Sequence, residues 1–238
     1  MRNQPFIFKK FSVEQDRCAM KIGTDAVLLG AWTSIEHNPF NVLDIGAGTG
    51  ILSLMMAQRC HAETIEAIEI DDEAFEQCVE NFENSPWNNR LFCFHASLLE
   101  YIEAVDEKFD LIICNPPFYS EDYKSKSKSR NLARFSDAMP MEHIILAVYH
   151  FLSENGKFSI VVPHKLEQQF IKEAEFIDLY PRRILHVKGN PNTSVKRSLM
   201  EFQFGKTNIS ISELIIETER HVYTEDYINL TKDFYLRM

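Results

Sequence analysis

Glycine and proline are scarce in these 238 residues, at eight and nine, and tryptophan occurs twice. Collagen-like and low-complexity architectures need far more of the first two and are excluded. No uninterrupted apolar run approaches the roughly 20 residues of a membrane-spanning helix, and the start, Met1-Arg2-Asn3-Gln4, lacks the apolar stretch of a signal peptide. No membrane partner is expected, and the expected compartment is the cytoplasm. Five cysteines (Cys18, Cys60, Cys78, Cys93, Cys114) form an odd set without C-x-x-C spacing, which speaks against a disulfide framework and against a zinc site. They are expected as reduced core residues, and no metal is expected. An obvious Ser-His-Asp or Cys-His constellation is also missing.

What is present is 45% hydrophobic and 25% charged residues, enough to bury a full core as a single domain over 1–238. The net charge of -10 is unevenly spread. Residues 63–110 hold fourteen acids against two bases, Arg90 and Lys108, so the rest of the chain is slightly positive. From residue 42, short apolar runs alternate with amphipathic stretches, the pattern of an α/β fold with a mostly parallel sheet covered by helices on both faces. Strands are predicted at 42–45, 64–69, 91–94, 109–114, 157–162, 183–187 and 198–204. Helices are predicted at 51–59, 71–83, 98–104, 141–152 and 165–174, with one more strand and a terminal helix after 210. Residues 119–140 are polar, rich in Lys and Ser, and too long for an ordinary connection; stretches of this length are lids, binding loops or disordered segments, and this one is expected as a basic loop next to the active site.

Two motifs carry chemistry. Asp44-Ile45-Gly46-Ala47-Gly48-Thr49-Gly50 follows a strand and opens a helix, so its glycines let the backbone turn and approach a ligand closely. A dinucleotide fingerprint would place its third glycine where Ile51 stands, which weakens nicotinamide and flavin readings. Nineteen positions on, Glu69 ends the next strand, where a carboxylate can accept hydrogen bonds from ribose hydroxyls. Ile70 follows it with an apolar side chain, and Ser97 lies just past the third predicted strand with a hydroxyl. The second motif is Asn115-Pro116-Pro117-Phe118. The prolines end a buried strand at a fixed point. The Asn115 side-chain oxygen and the Pro116 carbonyl are two acceptors for the N–H bonds of a planar exocyclic amine, and Phe118 is a flat face for a base.

The glycine loop resembles motif I of the class I S-adenosylmethionine-dependent methyltransferases, and Asn-Pro-Pro-Phe resembles the signature of members that methylate a planar amine or amide nitrogen. Together with Phe8-Lys9-Lys10-Phe11 and the run Met20 to Trp32, the chain resembles the bacterial tRNA1(Val) adenine-N6-methyltransferase family. The resemblance implies a Rossmann-like seven-stranded sheet, S-adenosylmethionine as cofactor, and methyl transfer to adenosine 37 of a tRNA with no obligate protein partner. It further implies that Ile70 packs on the adenine of the cofactor, that Ser97 gives it a hydrogen bond, and that residues 1–40 close over the cofactor, with Thr24 and Asp25 as contacts; as residues alone, the last pair reads equally as a helix N-cap. A tRNA partner is independently suggested by Lys124, Lys126, Lys128, Arg130 and Arg134, interleaved with Tyr119, Tyr123 and Phe135, and by a second stretch with Arg182, Arg183, Lys188, Lys196 and Arg197. Solvated charge is the competing explanation for both stretches. Competing functions are methylation of rRNA guanine N2 or of a release-factor glutamine, and a non-catalytic RNA-binding factor.

Overall fold

The computed structural model describes residues 4–117 and 139–238. Strands β1 (Phe6–Ile7) and β2 (Ser12–Val13) pair as an N-terminal hairpin, and α1 (Thr24–Trp32) follows. Then alternate β3 (Asn41–Ile45), α2 (Ile51–Arg59), β4 (Thr64–Glu69), α3 (Asp72–Glu83), β5 (Leu91–His95), α4 (Leu98–Ala104) and β6 (Phe109–Cys114). The second half runs α5 (Met141–Phe151), β7 (Leu152–Pro163), α6 (Glu167–Glu175), β8 (Leu179–Lys188), β9 (Arg197–Phe204), β10 (Ser210–Ile215), a hairpin of β11 (Glu217–Glu219) and β12 (Val222–Tyr223), and α7 (Glu225–Thr231).

The central sheet has the order β10-β8-β9-β7-β6-β3-β4-β5, and within it β9 alone runs against its neighbours. The sheet has eight strands where the resemblance implies seven, and the strand expected after residue 210 is the eighth. The strand in the tail, β10, joins the sheet by pairing in parallel with β8. Its side chains are mostly exposed, so no apolar run marks it as part of the core. Strand β7 starts at Leu152, where α5 ends, rather than at Lys157, and β8 starts four residues before Arg183, with an irregularity at Pro181. Proline has no N–H to give the ladder, which hides that end of the strand in the sequence.

Both faces of the sheet are covered, so the central strands bury every second residue on each side. In β6, Leu111 and Ile113 pack under α1, α2, α3 and α7, while Ile112 and Cys114 pack under α4, α5 and α6. Phe109, Phe151, Phe158, Phe170 and Phe202 are fully buried on the second face. Removing any one of these rings costs about 3–5 kcal/mol. The strand order reverses between β4-β3 and β6, which opens a crevice at the carboxyl ends of β3 and β6. Among the described residues, no helix is long and apolar enough to cross a membrane.

Candidate active site

The glycine loop lies at this crevice and is tied to the neighbouring strand. The Gly46 and Ala47 amides both donate to the Ile68 carbonyl at 3.0 Å, and the Gly48 amide donates to Glu69 Oε2 at 2.7 Å. Glu69 Oε1 accepts from the amides of Ile70 (2.9 Å) and Asp71 (3.0 Å). Glu69 is therefore held by three backbone N–H groups, with roughly one of the four lone-pair positions of a carboxylate to spare. Gly48 has a φ of +53°, and a Cβ there would meet nothing within 4 Å. Gly50 has a φ of +77°, and a Cβ there would strike the Phe82 ring at 2.5 Å and Cys78 Sγ at 2.8 Å. The first glycine leaves space above the loop; the second lets α3 pack against it.

Asp44 lies beneath the loop and does not line the crevice. It is fully buried, its Oδ2 accepts from the Ser53 amide (3.1 Å) and hydroxyl (2.8 Å), and its Oδ1 has no partner. Burial pushes its pKa from 3.8 up to about 7, against the pull of the two Ser53 hydrogen bonds.

Above the loop is a cavity of about 540 Å³, a size suited to a drug-sized ligand. Gly46, Gly48, Glu69 and Ile70 form one side; Ala96, Ser97, Leu98 and Leu99 form another. Ile70 is 58% exposed, an apolar surface free to receive a flat ring. The Ser97 Oγ accepts from the Glu100 amide and the Glu100 carboxylate accepts from the Ser97 amide, a capping box that fixes α4 and holds the Ser97 hydroxyl at the cavity wall. Asn115 and Pro117 enter from the end of β6, whose Cys114 is paired with Ile45, so the two motifs leave adjacent strands side by side. Pro116 is buried beneath them. Phe118 lies outside the described residues.

Several lining residues were not singled out as contacts in the sequence. Met139, Pro140 and His143 come from the start of α5, and Cys18, Ala19 and Met20 come from the N-terminal segment. That segment is fastened to α3 by two side-chain amides. Asn81 Oδ1 accepts from the Glu14 amide, and its Nδ2 donates to the Glu14 carbonyl and to the Thr49 carbonyl of the glycine loop; Gln77 pairs in the same way with the Arg17 amide and Asp16. All five cysteines are free thiols, but Cys18 departs from the expected core position and lines the cavity. Burial, followed by the Glu69 and Asp71 carboxylates, pushes its pKa up to about 12, so the thiol stays protonated and the cavity has an anionic field.

A family model described as "Methyltransferase small domain" matches residues 22–180. A tRNA1(Val) (adenine(37)-N6)-methyltransferase of Flavobacterium psychrophilum is 58% identical, covering 98% of this chain and 100% of its own. The protein of the same description from Christiangramia forsetii is 52% identical, with full coverage of both. The chain belongs to the tRNA1(Val) (adenine(37)-N6)-methyltransferase family. Among solved structures, a predicted O-methyltransferase of Agrobacterium tumefaciens superposes with a TM-score of 0.70 at 21% identity, covering 88% of this chain and 96% of the other, a likeness of fold.

For this family member, the remaining candidates divide. Thr24 and Asp25 open α1 behind an N-cap supplied by Gly23, so they are not an N-cap pair, and neither lines the cavity. Asp25 Oδ2 instead accepts from Arg197 Nε at 2.7 Å. Arg182 and Arg183 lie part-way along β8 and converge on Glu201, which is fully buried. Arg183 also stacks 4.3 Å over the Trp32 ring. These guanidiniums are committed to neutralising an internal carboxylate. Lys188 pairs with Glu213 at 2.8 Å, while Lys196 is exposed at the carboxyl edge. Lys124, Lys126, Lys128, Arg130 and Arg134 lie outside the described residues.

Proposed function

We propose that this protein transfers the methyl group of S-adenosylmethionine to the N6 amine of adenosine 37 in tRNA1(Val), working as a single domain. The observation that carries this reading is that Asn115 and Pro117 open onto the same cavity as Gly46, Gly48 and Glu69, in a chain that matches relatives of that name over its full length.

The residues present fit the cofactor. The space over Gly48, the carboxylate of Glu69 with a lone pair to spare and the bare face of Ile70 suit an amino-acid tail, a ribose and an adenine in turn. When bound, S-adenosylmethionine supplies a methyl group on a positively charged sulfur. Glu69 and Asp71 give the anionic surroundings that favour such a cation. Ser97 can donate its hydroxyl proton to a ring nitrogen of adenine.

An adenine N6 is a poor nucleophile because its lone pair is delocalised into the ring. Asn115 Oδ1 and the Pro116 carbonyl accept its two N–H bonds, which favours a pyramidal nitrogen and aims the lone pair. The methylated amine is cationic and loses a proton readily, so no strong general base is needed, in keeping with a cavity whose thiol stays protonated. Positioning supplies most of the acceleration. Phe118 is assigned to stacking on the base, and the Lys124 to Arg134 cations and Lys196 to phosphates.

The test is transfer of labelled methyl from S-adenosylmethionine to unmodified bulk tRNA, followed by digestion to nucleosides. Label in N6-methyladenosine, mapped to position 37 of tRNA1(Val), is the expected result. Label in rRNA guanosine or in a release factor, with none in tRNA, would overturn the proposal.

A further inference from the structure

A second polar cluster lies at the carboxyl edge of the sheet, on the α6 face, and none of its residues lines the cavity. His164 stands just beyond the end of β7, Glu167 opens α6, His186 is on β8 and Ser198 on β9. Register puts Val162, Ser198 and His186 in one row across the three strands, and Glu167 reaches that row from α6. His186 Nε2 lies 2.8 Å from Glu167 Oε2, His164 Nδ1 3.2 Å and Ser198 Oγ 2.5 Å from the same oxygen; His164 Nδ1 and Ser198 Oγ are 2.9 Å apart. Three polar groups thus crowd one carboxylate oxygen, which has two lone pairs. Glu167 is buried, at 6% side-chain exposure, whereas the imidazoles keep 39% and 21%, so the cluster can be entered from solvent.

We propose that this cluster binds a divalent transition-metal ion, zinc in the first instance, through His164 Nδ1, Glu167 Oε2 and His186 Nε2. These ligand atoms all lie within 4.8 Å of one another. Bonds of about 2.0–2.2 Å in a tetrahedral site put donors roughly 3.4 Å apart, so small side-chain movements suffice to admit the ion. Two imidazoles and one carboxylate match the donor preference of zinc, whereas magnesium and calcium take oxygen ligands. Ser198 then remains as a hydrogen-bond donor to Glu167 Oε2 that orients it, the usual companion of a ligating carboxylate. The expectation of no metal came from the cysteines. This site draws on an i,i+3 pair at the start of α6 and one residue from a distant strand, a spacing that sequence does not single out. An ion here would clamp the turn after β7 to β8, the strand that carries Lys188 and pairs with β9 close to Lys196 and Arg197.

The test uses the full chain stripped with a chelator and titrated with Zn²⁺ against a competing colorimetric dye, with melting temperature as a second readout. One equivalent should bind, and saturating zinc should raise the melting temperature by roughly 5 to 10 °C. Both effects should be lost in His164→Ala and His186→Ala. These half-exposed positions tolerate truncation better than buried Glu167, and each variant's melting temperature without zinc should stay within a few degrees of the parent. Absence of binding would overturn the proposal, as would a zinc equivalent that persists in both variants, which would assign the ion to the thiols. An equal melting shift with Mg²⁺ would overturn it too.

Discussion

Asp44 offers a measurement in which the sign and the size both follow from the structure. The folded chain holds this carboxyl near a pKa of about 7, against an ordinary value of 3.8, because burial disfavours the charged form more than Ser53 supports it. The folded state therefore keeps its proton when the unfolded chain has released it. Stability from this group is complete below the unfolded pKa and is lost as pH rises from about 4 through 7. At 1.36 kcal/mol per pH unit the ceiling is about 4 kcal/mol, and the part falling between pH 5 and pH 8 is about 2 to 3 kcal/mol. Asp44→Asn removes the titration. The amide carries its own fixed cost, since one side of this group faces no partner, but that cost does not vary with pH. Urea unfolding of both proteins at pH 5, 6, 7 and 8 isolates the effect as a difference of differences. The stability of Asp44→Asn relative to the parent should climb by about 2 to 3 kcal/mol from pH 5 to pH 8. Parallel stability curves over that range would refute the reasoning and mean that Asp44 is ionised when buried.

Further predictions concern the two motifs and their supports. Asn115→Ala should lower kcat by about 10²–10³-fold, the loss typical of one acceptor or donor aimed at the reacting group, while cofactor affinity by calorimetry stays within about threefold; an active variant would remove the assigned role. Asn81→Ala breaks three hydrogen bonds that join the N-terminal segment, α3 and the glycine loop, and should cost about 2–4 kcal/mol in urea unfolding together with a weaker cofactor Kd. Arg183→Ala should cost about 3–5 kcal/mol because it strips a partner from buried Glu201, with no change in the salt dependence of tRNA binding at a temperature where the variant is folded. Lys196→Glu should do the reverse: an unchanged melting temperature, weaker tRNA binding and a shallower slope against salt.

The order of strands and helices was legible because a parallel sheet covered on both faces needs apolar runs such as Phe109 to Cys114, and glycine or proline where those runs end. That a strand follows residue 210 was legible, but its membership of the central sheet was not, because β10 is held by backbone hydrogen bonds along an exposed edge, and side-chain pattern records burial rather than pairing. The same distinction separates the candidate site residues. Gly48, Glu69 and Asn115 were legible because each belongs to a motif whose spacing is set by the strand end it occupies. His143 reaches the cavity by tertiary folding alone, while Cys18, Ala19 and Met20, expected only as part of residues 1–40, are brought there by amides on α3 that look in sequence like surface residues of an acidic helix.

Charge is where the sequence misleads most, for a definite physical reason. Arg182 and Arg183 look like Lys196 in a basic stretch, yet whether a cation is available to a phosphate depends on which carboxylate the fold puts beside it. Glu201, eleven residues beyond Asn190 of the Gly189-Asn190 turn and opposite Arg183 in the β8–β9 register, is fully buried and anionic. A carboxylate in that position needs cations more than tRNA does, since leaving it bare costs several kcal/mol. The Trp32 ring and the Ser34 amide then complete its surroundings. Comparing Arg183→Ala with Lys196→Glu in melting and in tRNA titration therefore separates a cation that serves the fold from one left for a ligand. If both variants weakened tRNA binding equally at intact stability, the assignment of Arg183 to Glu201 would fail.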